Sequence, residues 1–219
     1  MRGPGGLTDL GTLTPIAVVA PHPDDETLGC GGLLALCADR GLRADVLTLT
    51  DGAASHPSCD AWPPWRLAEE RRREQTEALA ILGLRRPSHH FDLPDGRLSE
   101  LSGDAVSSVV ARLRQWLHRF ACVFVTAADD EHPDHRAAHR WVAQASPDLP
   151  RFGYSVWPPE ERARGDLRLP LGERAAKKKS MAIACFHTQL GESGPEGGFA
   201  MPPGLRARAL SGEERFSRD

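Results

Sequence analysis

The sequence lacks the cysteine pattern of a disulfide-stabilised or thiolate-zinc protein. It has five cysteines, an odd number spread widely over the chain, and no CxxC pair. Secreted disulfide scaffolds and zinc knuckles depend on paired, closely spaced cysteines. The stretch Met1–Thr14 contains a single basic residue, Arg2, and no apolar run of the kind found in a secretion signal. We therefore expect a reduced, cytoplasmic setting.

Long hydrophobic runs and an excess of charge of one sign are also missing. No apolar stretch approaches the ~20 residues that a membrane-spanning helix requires. The 27 basic residues are balanced by 30 acidic ones, whereas a nucleic-acid groove or a contact with an anionic membrane surface is usually strongly basic. The sequence thus predicts neither a nucleic acid nor a membrane as a partner.

Internal repeats are absent as well, which argues against solenoids and propellers. A chain of 219 residues is long enough to bury one full core. Its 21 glycines and 18 prolines indicate extensive loops. We predict one domain over residues 15–190, a flexible lead-in over residues 1–14, and a C-terminal extension over residues 191–219 that packs on the same domain.

The sequence does contain an alternation of short strand-like runs and longer helical patterns. Most of the short runs are continuously apolar, which is typical of strands buried on both faces of a parallel sheet. The alternation predicts an α/β fold. We expect a Rossmann-like, doubly wound, mostly parallel sheet in the order 3-2-1-4-5, followed by an irregular C-terminal extension. The expected strands are Ile16–Ala20, Ala44–Thr50, His89–Leu93, Cys122–Thr126 and Phe152–Trp157, and the expected helices are Glu26–Arg40, Leu67–Leu82, Asp104–Phe120, Asp134–Ala145 and Glu173–Cys185, the last preceded by a surface excursion from Pro158.

Two clusters of acidic and histidine residues follow two of these strands. The segment His22–Glu26 (HPDDE) comes directly after the first strand, and Asp129–His135 (DDEHPDH) follows the fourth. In the order 3-2-1-4-5 these strands are neighbours where the strand order reverses, and ligands bind outside the carboxyl ends of strands at that point. We therefore expect the two clusters to face each other across one crevice.

Histidine and carboxylate side chains together are the ligand set of a borderline metal such as zinc. A catalytic zinc keeps three protein ligands and one open position for water. His22 and Asp25 can supply two ligands, and His135 can supply the third. Asp24 then lies beside the metal, where it could accept a proton from the acidified water. One divalent ion per chain is expected, and iron or another ion could replace zinc because affinity order alone does not decide occupancy.

Simpler interpretations stay open at this point. A His-Pro-Asp sequence often forms only a helix N-cap and turn. His135 and His139 stand four residues apart and could be a different ligand pair. The glycine-rich stretch 29–32 could cradle a phosphate, although it lacks the GxGxxG pattern and follows acidic residues that would repel a pyrophosphate. Glycines at the start of the first helix are also explained if that helix packs closely against the sheet.

At the level of whole motifs, PHPDDE after the first strand and HPDH after the fourth resemble the PIG-L/LmbE-type zinc-dependent N-acetylglucosaminyl deacetylases. The resemblance covers roughly residues 16–189. It implies a Rossmann-like sheet and the hydrolysis of N-acetyl groups on amino sugars. Two further fragments are similar to the family's RxxE helix and LPDG turn, namely Arg71-x-x-Glu74 and Leu93-Pro94-Asp95-Gly96.

The resemblance assigns roles to individual residues of this chain. It implies the zinc ligands His22, Asp25 and His135 and the general base Asp24. His132 would stabilise the oxyanion or protonate the leaving amine. Asp134 would orient an imidazole.

The matching arginine and aspartate of the family bind sugar hydroxyls, which makes Arg71 and Asp95 candidate substrate-binding residues. Arg71 also lies on the apolar stripe of its helix, between Leu67 and Ala78, where a charge needs a partner. It could instead pair with Glu74 or extend its head group into solvent. Asp95 could be no more than a turn former.

Two positions depart from the family's pattern. Residues 186–189 read Phe-His-Thr-Gln where the family often has His-x-Ser-Gln, so an aromatic residue replaces the usual histidine. Some members also have a tyrosine two residues before the first histidine of HPDH, and this chain has Asp130 there. Oxyanion stabilisation would then rest on zinc and His132.

Residues and resemblance together predict a zinc-dependent deacetylase acting on an N-acyl amide, normally N-acetyl, of a small amino sugar or its conjugate. A metal-dependent phosphoesterase is an alternative, since clustered aspartate and histidine also hold two-metal phosphate sites. A non-catalytic ligand-binding module on the same fold is another. The loops that would select the substrate, 53–64 and 158–172, have no readable pattern, and the chain could form a homo-oligomer.

Overall fold

Strands and helices alternate along most of the chain, and the strands form one sheet. The computed structural model describes residues 7, 9–56, 60–158, 165–191 and 198–218. Parts of the predicted lead-in, of both substrate loops and of the C-terminal extension lie outside these residues. The strands are β1 (Ile16–Ala20), β2 (Ala44–Thr50), β3 (His89–Leu93), β4 (Cys122–Thr126), β5 (Arg151–Tyr154), β6 (Leu167–Pro170) and β7 (Glu213–Arg218). The helices are α1 (Asp25–Asp39), α2 (Pro64–Leu82), α3 (Gly103–Leu117), α4 (Pro133–Ala145), α5 (Glu173–Ile183), α6 (His187–Leu190) and α7 (Pro203–Ala209), with short 3-10 turns at Leu10–Leu13 and Leu98–Glu100.

The first five strands are parallel and confirm the predicted order. The sheet runs β3-β2-β1-β4-β5-β7-β6. β1 pairs with β2 on one side and with β4 on the other, so that Ile16 is opposite both Ala44 and Cys122. Every residue of β1 and β4 is buried, as expected for strands covered on both faces. The carboxyl ends of β1 and β4 therefore lie side by side.

Each face of the sheet has its own apolar core. Helices α1, α2 and α5 pack over one face, which presents Val18 and Phe124. Helices α3 and α4 pack over the other face, which presents Val19 and Val125. Helices on both faces make the sheet doubly wound, as the alternation predicts. Among the described residues, no helix combines the length and the apolar character needed to cross a membrane.

The glycines of α1 allow this helix to approach its neighbours closely. A Cβ atom built on Gly29 would lie 2.1 Å from the Tyr154 ring on β5, and one on Gly32 would lie 2.3 Å from Leu171. Real Cβ atoms do not come so near to other atoms. The glycines are therefore explained by packing, as one interpretation of the sequence expected, and not by a phosphate cradle.

The end of the chain is more regular than the sequence analysis predicted. β7 pairs antiparallel with both β5 and β6 and widens the sheet. This corrects the expectation of an irregular C-terminal extension. The strand β6 forms where the sequence predicted a surface excursion, and β5 ends at Tyr154 instead of Trp157. Within β7, only Glu214 and Phe216 are buried. A strand with one inward apolar residue shows no hydrophobic alternation, which is why β7 escaped prediction.

The buried carboxylate of Glu214 attaches β7 to α1 and α5. Its Oε1 accepts hydrogen bonds of 2.6 Å from Lys179 Nζ and from the Gly32 N–H, and its Oε2 accepts one of 2.8 Å from the Leu33 N–H. Glu214 and Lys179 are both almost completely buried. Removing one partner of such a pair leaves an uncompensated buried charge.

We expect Glu214→Gln to lower the free energy of unfolding by about 3 kcal/mol, because the Lys179 ammonium would stay buried without a counter-charge. Urea unfolding followed by circular dichroism measures the change. Glu100→Gln is the control, since Glu100 pairs with Arg97 at the surface and should not shift the midpoint. Equal midpoints for the two variants would contradict a stabilising role for the buried pair.

Candidate metal centre

The two motif segments meet at the carboxyl ends of β1 and β4. HPDDE forms the turn from β1 into α1, and HPDH forms the start of α4 after β4. Because β1 and β4 are adjacent and parallel, both turns lie at the same edge of the sheet. The structure thus brings the two clusters together across one crevice, as the strand order predicts.

Three potential ligand atoms form a nearly equilateral triangle. Asp25 Oδ2 lies 3.1 Å from His22 Nδ1 and 3.2 Å from His135 Nε2, and the two nitrogens are 3.3 Å apart. Nitrogen and oxygen ligands of tetrahedral zinc lie about 2.0–2.2 Å from the metal, which separates them from one another by about 3.3 Å. The three atoms therefore fit a tetrahedral divalent ion, with a fourth position left for water.

The charges around this triangle favour a cation at its centre. Burial lowers the pKa of His135, but the carboxylates of Asp25 and Asp130 outweigh it and raise this pKa to about 9. Burial also opposes a charge on His22, yet the carboxylates facing it raise its pKa well above the usual value. Burial raises the pKa of Asp25, and the two imidazoles more than reverse this effect. Positive charge, from a proton or from a metal, is therefore stabilised here.

Carboxylates also face the other nitrogen of each imidazole. Asp130 Oδ1 lies 3.0 Å from His135 Nδ1. His22 Nε2 lies 3.1 Å from Asp95 Oδ1 and 3.3 Å from Asp134 Oδ2. A carboxylate behind a histidine fixes the ring and makes it a stronger metal ligand. Asp134 does face an imidazole, as the resemblance implies, and the ring is that of His22.

Asp130 is a site residue that the sequence analysis did not predict. In the sequence, this position stands out only as the place where some family members have a tyrosine. The Asp130 carboxylate accepts hydrogen bonds from the N–H groups of His132, Val156 and Trp157, at 3.0, 2.9 and 3.0 Å, so it is rigidly held against His135. A signal for Asp130 was present in the sequence, because metal-binding histidines are regularly paired with a nearby carboxylate.

Asp24 lies at the start of α1 in a strained backbone conformation. Its φ angle is 147°, which is unusual for a residue other than glycine. Although Asp24 is the N-cap residue, its side chain makes no capping hydrogen bond and lines the pocket instead. Burial raises the pKa of Asp24 to about 7, with Arg71 acting in the opposite direction. The N-cap interpretation therefore does not account for this carboxyl group.

His132 is the N-cap residue of α4 and presents its ring to the pocket. Its Nδ1 accepts a hydrogen bond of 3.2 Å from the Asp134 N–H, so the proton of the neutral ring is on Nε2. Burial, assisted by the two neighbouring histidines, lowers the pKa of His132 to about 4. At neutral pH the ring is therefore an uncharged hydrogen-bond donor.

Arg71 reaches from α2 to the candidate base. Its guanidinium donates to the carbonyl oxygens of Gly52 and Pro23, at 2.9 and 3.0 Å, and its Nη2 lies 3.3 Å from Asp24 Oδ2. The side chain is only 3% exposed, which rules out a head group in solvent. Glu74 accepts hydrogen bonds from the Thr188 N–H and hydroxyl, so it connects α2 to α6.

Asp95 lies in the turn after β3 and faces the site at the same time. Its Oδ1 is directed at His22, and its Oδ2 accepts a hydrogen bond of 2.9 Å from the Ala54 N–H. Burial raises the pKa of this carboxyl, but His22 more than offsets that effect and the pKa is well below normal. Asp95 is therefore more than a turn former.

His139, His56 and His187 do not join the triangle. His139 Nδ1 lies 2.8 Å from the Thr126 carbonyl oxygen. His56 Nδ1 lies 2.9 Å from Ser55 Oγ. His187 is exposed, and its neighbour Phe186 is buried in the apolar core.

A pocket of about 300 Å³ opens onto the centre. The metal-centre side of the pocket includes His22, Asp24, Asp25 and His132. Arg71 and Asp95 also line it. A cavity of this size is at the lower end of the range for small-molecule sites.

A family profile for PIG-L, described as GlcNAc-PI de-N-acetylase, matches residues 17–146. The chain belongs to the PIG-L family. The matched region contains both motif segments, α2 with Arg71, and the Asp95 turn. It ends before β5, so the later part of this PIG-L chain lies outside the match.

Among curated relatives, the 1D-myo-inositol 2-acetamido-2-deoxy-alpha-D-glucopyranoside deacetylase of Rhodococcus opacus is 33% identical over 154 residues. The alignment covers 59% of this chain and 52% of that protein. The PIG-L chain spans about half the length of most of the curated relatives it matches.

Two solved structures show how widely the fold is shared. The N,N'-diacetylchitobiose deacetylase of Pyrococcus horikoshii superposes with a TM-score of 0.72 at 18% identity, over 97% of this chain and 86% of that one. The 4-carboxy-2-hydroxymuconate hydratase of Pseudomonas putida superposes with a TM-score of 0.68 at 20% identity, over 90% and 82%. Since a deacetylase and a hydratase share the fold, the fold alone does not determine the reaction.

We expect His135→Ala to abolish stoichiometric zinc binding, because it removes one of the three atoms of the triangle. His139→Ala is the matched control and should retain about one zinc per chain. Elemental analysis after dialysis gives the metal content of both variants. Zinc lost by His139→Ala would instead support the pair His135 and His139 as ligands, and zinc retained by His135→Ala would contradict any ligand set that includes His135.

Asp130→Asn should weaken zinc affinity by about 10- to 100-fold, because a neutral amide behind His135 makes this imidazole a weaker metal ligand. Competition with a chromophoric chelator measures the affinity. Asp129→Asn, an exposed neighbour, is the matched control and should bind zinc like the parent. If all three proteins have the same affinity, Asp130 has no part in holding His135.

Proposed function

We propose that this chain is a zinc-dependent N-deacetylase that hydrolyses the N-acetyl or other N-acyl amide of a small amino sugar or its conjugate. One observation carries the proposal, namely the triangle of ligand atoms, 3.1–3.3 Å apart, beside a carboxyl group with a pKa of about 7. Membership in the PIG-L family supports the same chemistry, since relatives of this chain are named as deacetylases of acetylated amino sugars.

In this proposal His22, Asp25 and His135 hold one ion per chain. Zinc suits the two nitrogens and one oxygen best, and iron or another divalent ion is an alternative. When bound, such an ion would polarise the amide carbonyl and lower the pKa of water to ~7. Asp130, Asp134 and Asp95 would keep the two imidazoles oriented.

Asp24 moves the proton. Its carboxylate takes a proton from the attacking water as the new C–O bond forms at the amide carbon. The same proton then passes to the amide nitrogen as the C–N bond breaks, which gives a free amine and a short carboxylic acid that loses its own proton to water. A base with a pKa close to the working pH is the most effective, and Arg71, 3.3 Å away, fixes the position of the carboxylate.

His132 stabilises the negative charge that develops on the carbonyl oxygen. Its Nε2–H is a neutral donor on the pocket wall, and its Nδ1 is fixed by the Asp134 N–H. A donor already in place for the oxyanion costs no reorganisation when the charge appears. With a pKa of about 4, His132 is better suited to this role than to protonating the amine.

Arg71 and Asp95 complete the proposal as contacts for sugar hydroxyls. Both line the pocket, and both are already engaged with Asp24 or His22. Carboxylate oxygens accept more than one hydrogen bond, and a guanidinium carries five N–H groups. Each side chain can therefore bind a hydroxyl while it positions a catalytic group.

We expect Asp24→Asn to keep its zinc but to lose about 10²- to 10⁴-fold in turnover, because an amide cannot accept the proton. Free amine released from a panel of N-acetyl amino sugars and conjugates gives the rate, and elemental analysis gives the zinc content. Treatment of the parent protein with a chelator should abolish the same activity. Turnover at the parent rate in Asp24→Asn would rule out Asp24 as the base.

The alternative functions predict different activities and metal contents for the same purified protein. A phosphoesterase would hydrolyse a phosphate ester and hold two metals. Within the described residues, two further groups of possible ligands are His22 with His132 and His135, and His22 with Asp95 and Asp134. Both include His22, so a second ion held by either group would share that residue. A binding module would bind amino sugars without turnover. A cytoplasmic location, a homo-oligomer and the division into a domain at 15–190 with two flanking segments stay predictions.

A further inference from the structure

The pocket beside the candidate metal centre is lined by two chemically different sets of residues. Away from the metal centre, the polar lining residues are Ser55, Arg71, Asp95 and Gln189, with Ala54 and Gly96 between them. The apolar lining residues are Leu28, Val156, Trp157, Phe199, Met201 and Leu205, which belong to or pack against one hydrophobic cluster and which we call the apolar wall. All of the apolar wall except Leu28 lies outside the part of the chain that matches the family profile.

The apolar wall begins next to the reacting groups. Leu28 lies one helical turn after Asp24, and its N–H donates to the Asp24 carbonyl oxygen at 2.9 Å. Val156 and Trp157 donate their N–H groups to Asp130, the carboxylate that faces His135. A group bound on the apolar wall would therefore be adjacent to the scissile amide.

The C-terminal part of the wall is held in place by backbone hydrogen bonds. The Phe199 N–H donates to the Ser55 carbonyl oxygen at 2.9 Å, and the Met201 N–H donates to the Gln189 carbonyl oxygen at 2.6 Å. The rings of Phe199 and Trp157 contact edge to face, with centroids 6.1 Å apart. These contacts make the wall part of the built pocket.

Such a wall does not match an N-acetylated sugar alone. Sugar hydroxyls placed against it would lose hydrogen bonds to water without replacing them. An acetyl group offers one methyl, which covers a small part of six apolar side chains. An apolar group, in contrast, gains free energy in proportion to the area it buries, and apolar walls with a few polar groups are typical of specific ligand sites.

On the basis of the proposed function, we infer that the substrate carries an apolar group next to its N-acyl amino sugar and that the apolar wall binds this group. The group has two possible chemical sources, an acyl chain longer than acetyl or an apolar aglycone. Phe199 and Trp157 are then specificity-determining residues, because they form the half-exposed part of the wall.

Calorimetric titration of the purified full chain with three ligands tests the inference. The parent ligand is the methyl glycoside of N-acetylglucosamine, and the other two are its hexyl glycoside and the methyl glycoside of N-hexanoylglucosamine. Each fully buried methylene improves binding about fourfold. We expect one of the two longer ligands to bind about 30-fold more tightly than the parent, and the ligand that gains identifies the source.

Three variants test whether the apolar wall causes the gain in affinity of the longer ligand over the parent ligand. Phe199→Ser, and independently Trp157→Ser, should reduce it to less than about 5-fold, because each removes an aromatic face of the wall. Trp65→Ser removes an aromatic side chain that is 69% exposed and outside the pocket, so it should keep the full gain. Equal affinities for all three ligands, or a gain that both wall variants retain, would overturn the inference.

Amine release from the same ligands separates this inference from the proposed function. Release from the parent ligand, without tighter binding of either longer ligand, would support the deacetylase and overturn the apolar site. Tighter binding that depends on Phe199, without release from any ligand, would support the apolar site and overturn the deacetylase.

Discussion

The structure depends on the approach of two imidazole nitrogens and one carboxylate oxygen to within 3.3 Å of one another. Three electron-rich atoms at such distances repel unless positive charge lies between them. The raised pKa of His135 and the lowered pKa of Asp25 show that positive charge is stabilised at this cluster. A divalent cation would remove the repulsion among all three atoms at once, which is why we interpret the cluster as a candidate metal centre and not as a chance group of polar side chains.

The rest of the site keeps these atoms in position. Asp130, Asp134 and Asp95 lie behind the two imidazoles, and each of these carboxylates is itself held by backbone N–H groups. Arg71 extends from α2 to Asp24 and donates hydrogen bonds to the carbonyl oxygens of Gly52 and Pro23. The strained backbone at Asp24 directs its carboxyl group into the pocket instead of towards the helix N-terminus. Several buried charges therefore compensate one another, and the removal of any one leaves its neighbours without a counter-charge.

The polar centre and the apolar wall come from different parts of the chain. The centre lies within the region that matches the family profile, at the ends of β1 and β4. The wall is formed largely by residues after β5, where β7 and Glu214 attach the C-terminal segment to α1 and α5. A deacetylase and a hydratase share this fold, so one fold can serve different reactions.

The sequence alone determined the parallel sheet, its order and the meeting of the two motifs, because buried parallel strands are continuously apolar and the strand order fixes which ends are neighbours. It also indicated His22, Asp25 and His135 as one ligand set. Only the tertiary structure decided that Asp130 backs His135, that Arg71 contacts Asp24, and that β7 joins the sheet through a single inward apolar residue. Those features arise from contacts between residues far apart in the chain, and such contacts leave no periodic signal in the sequence.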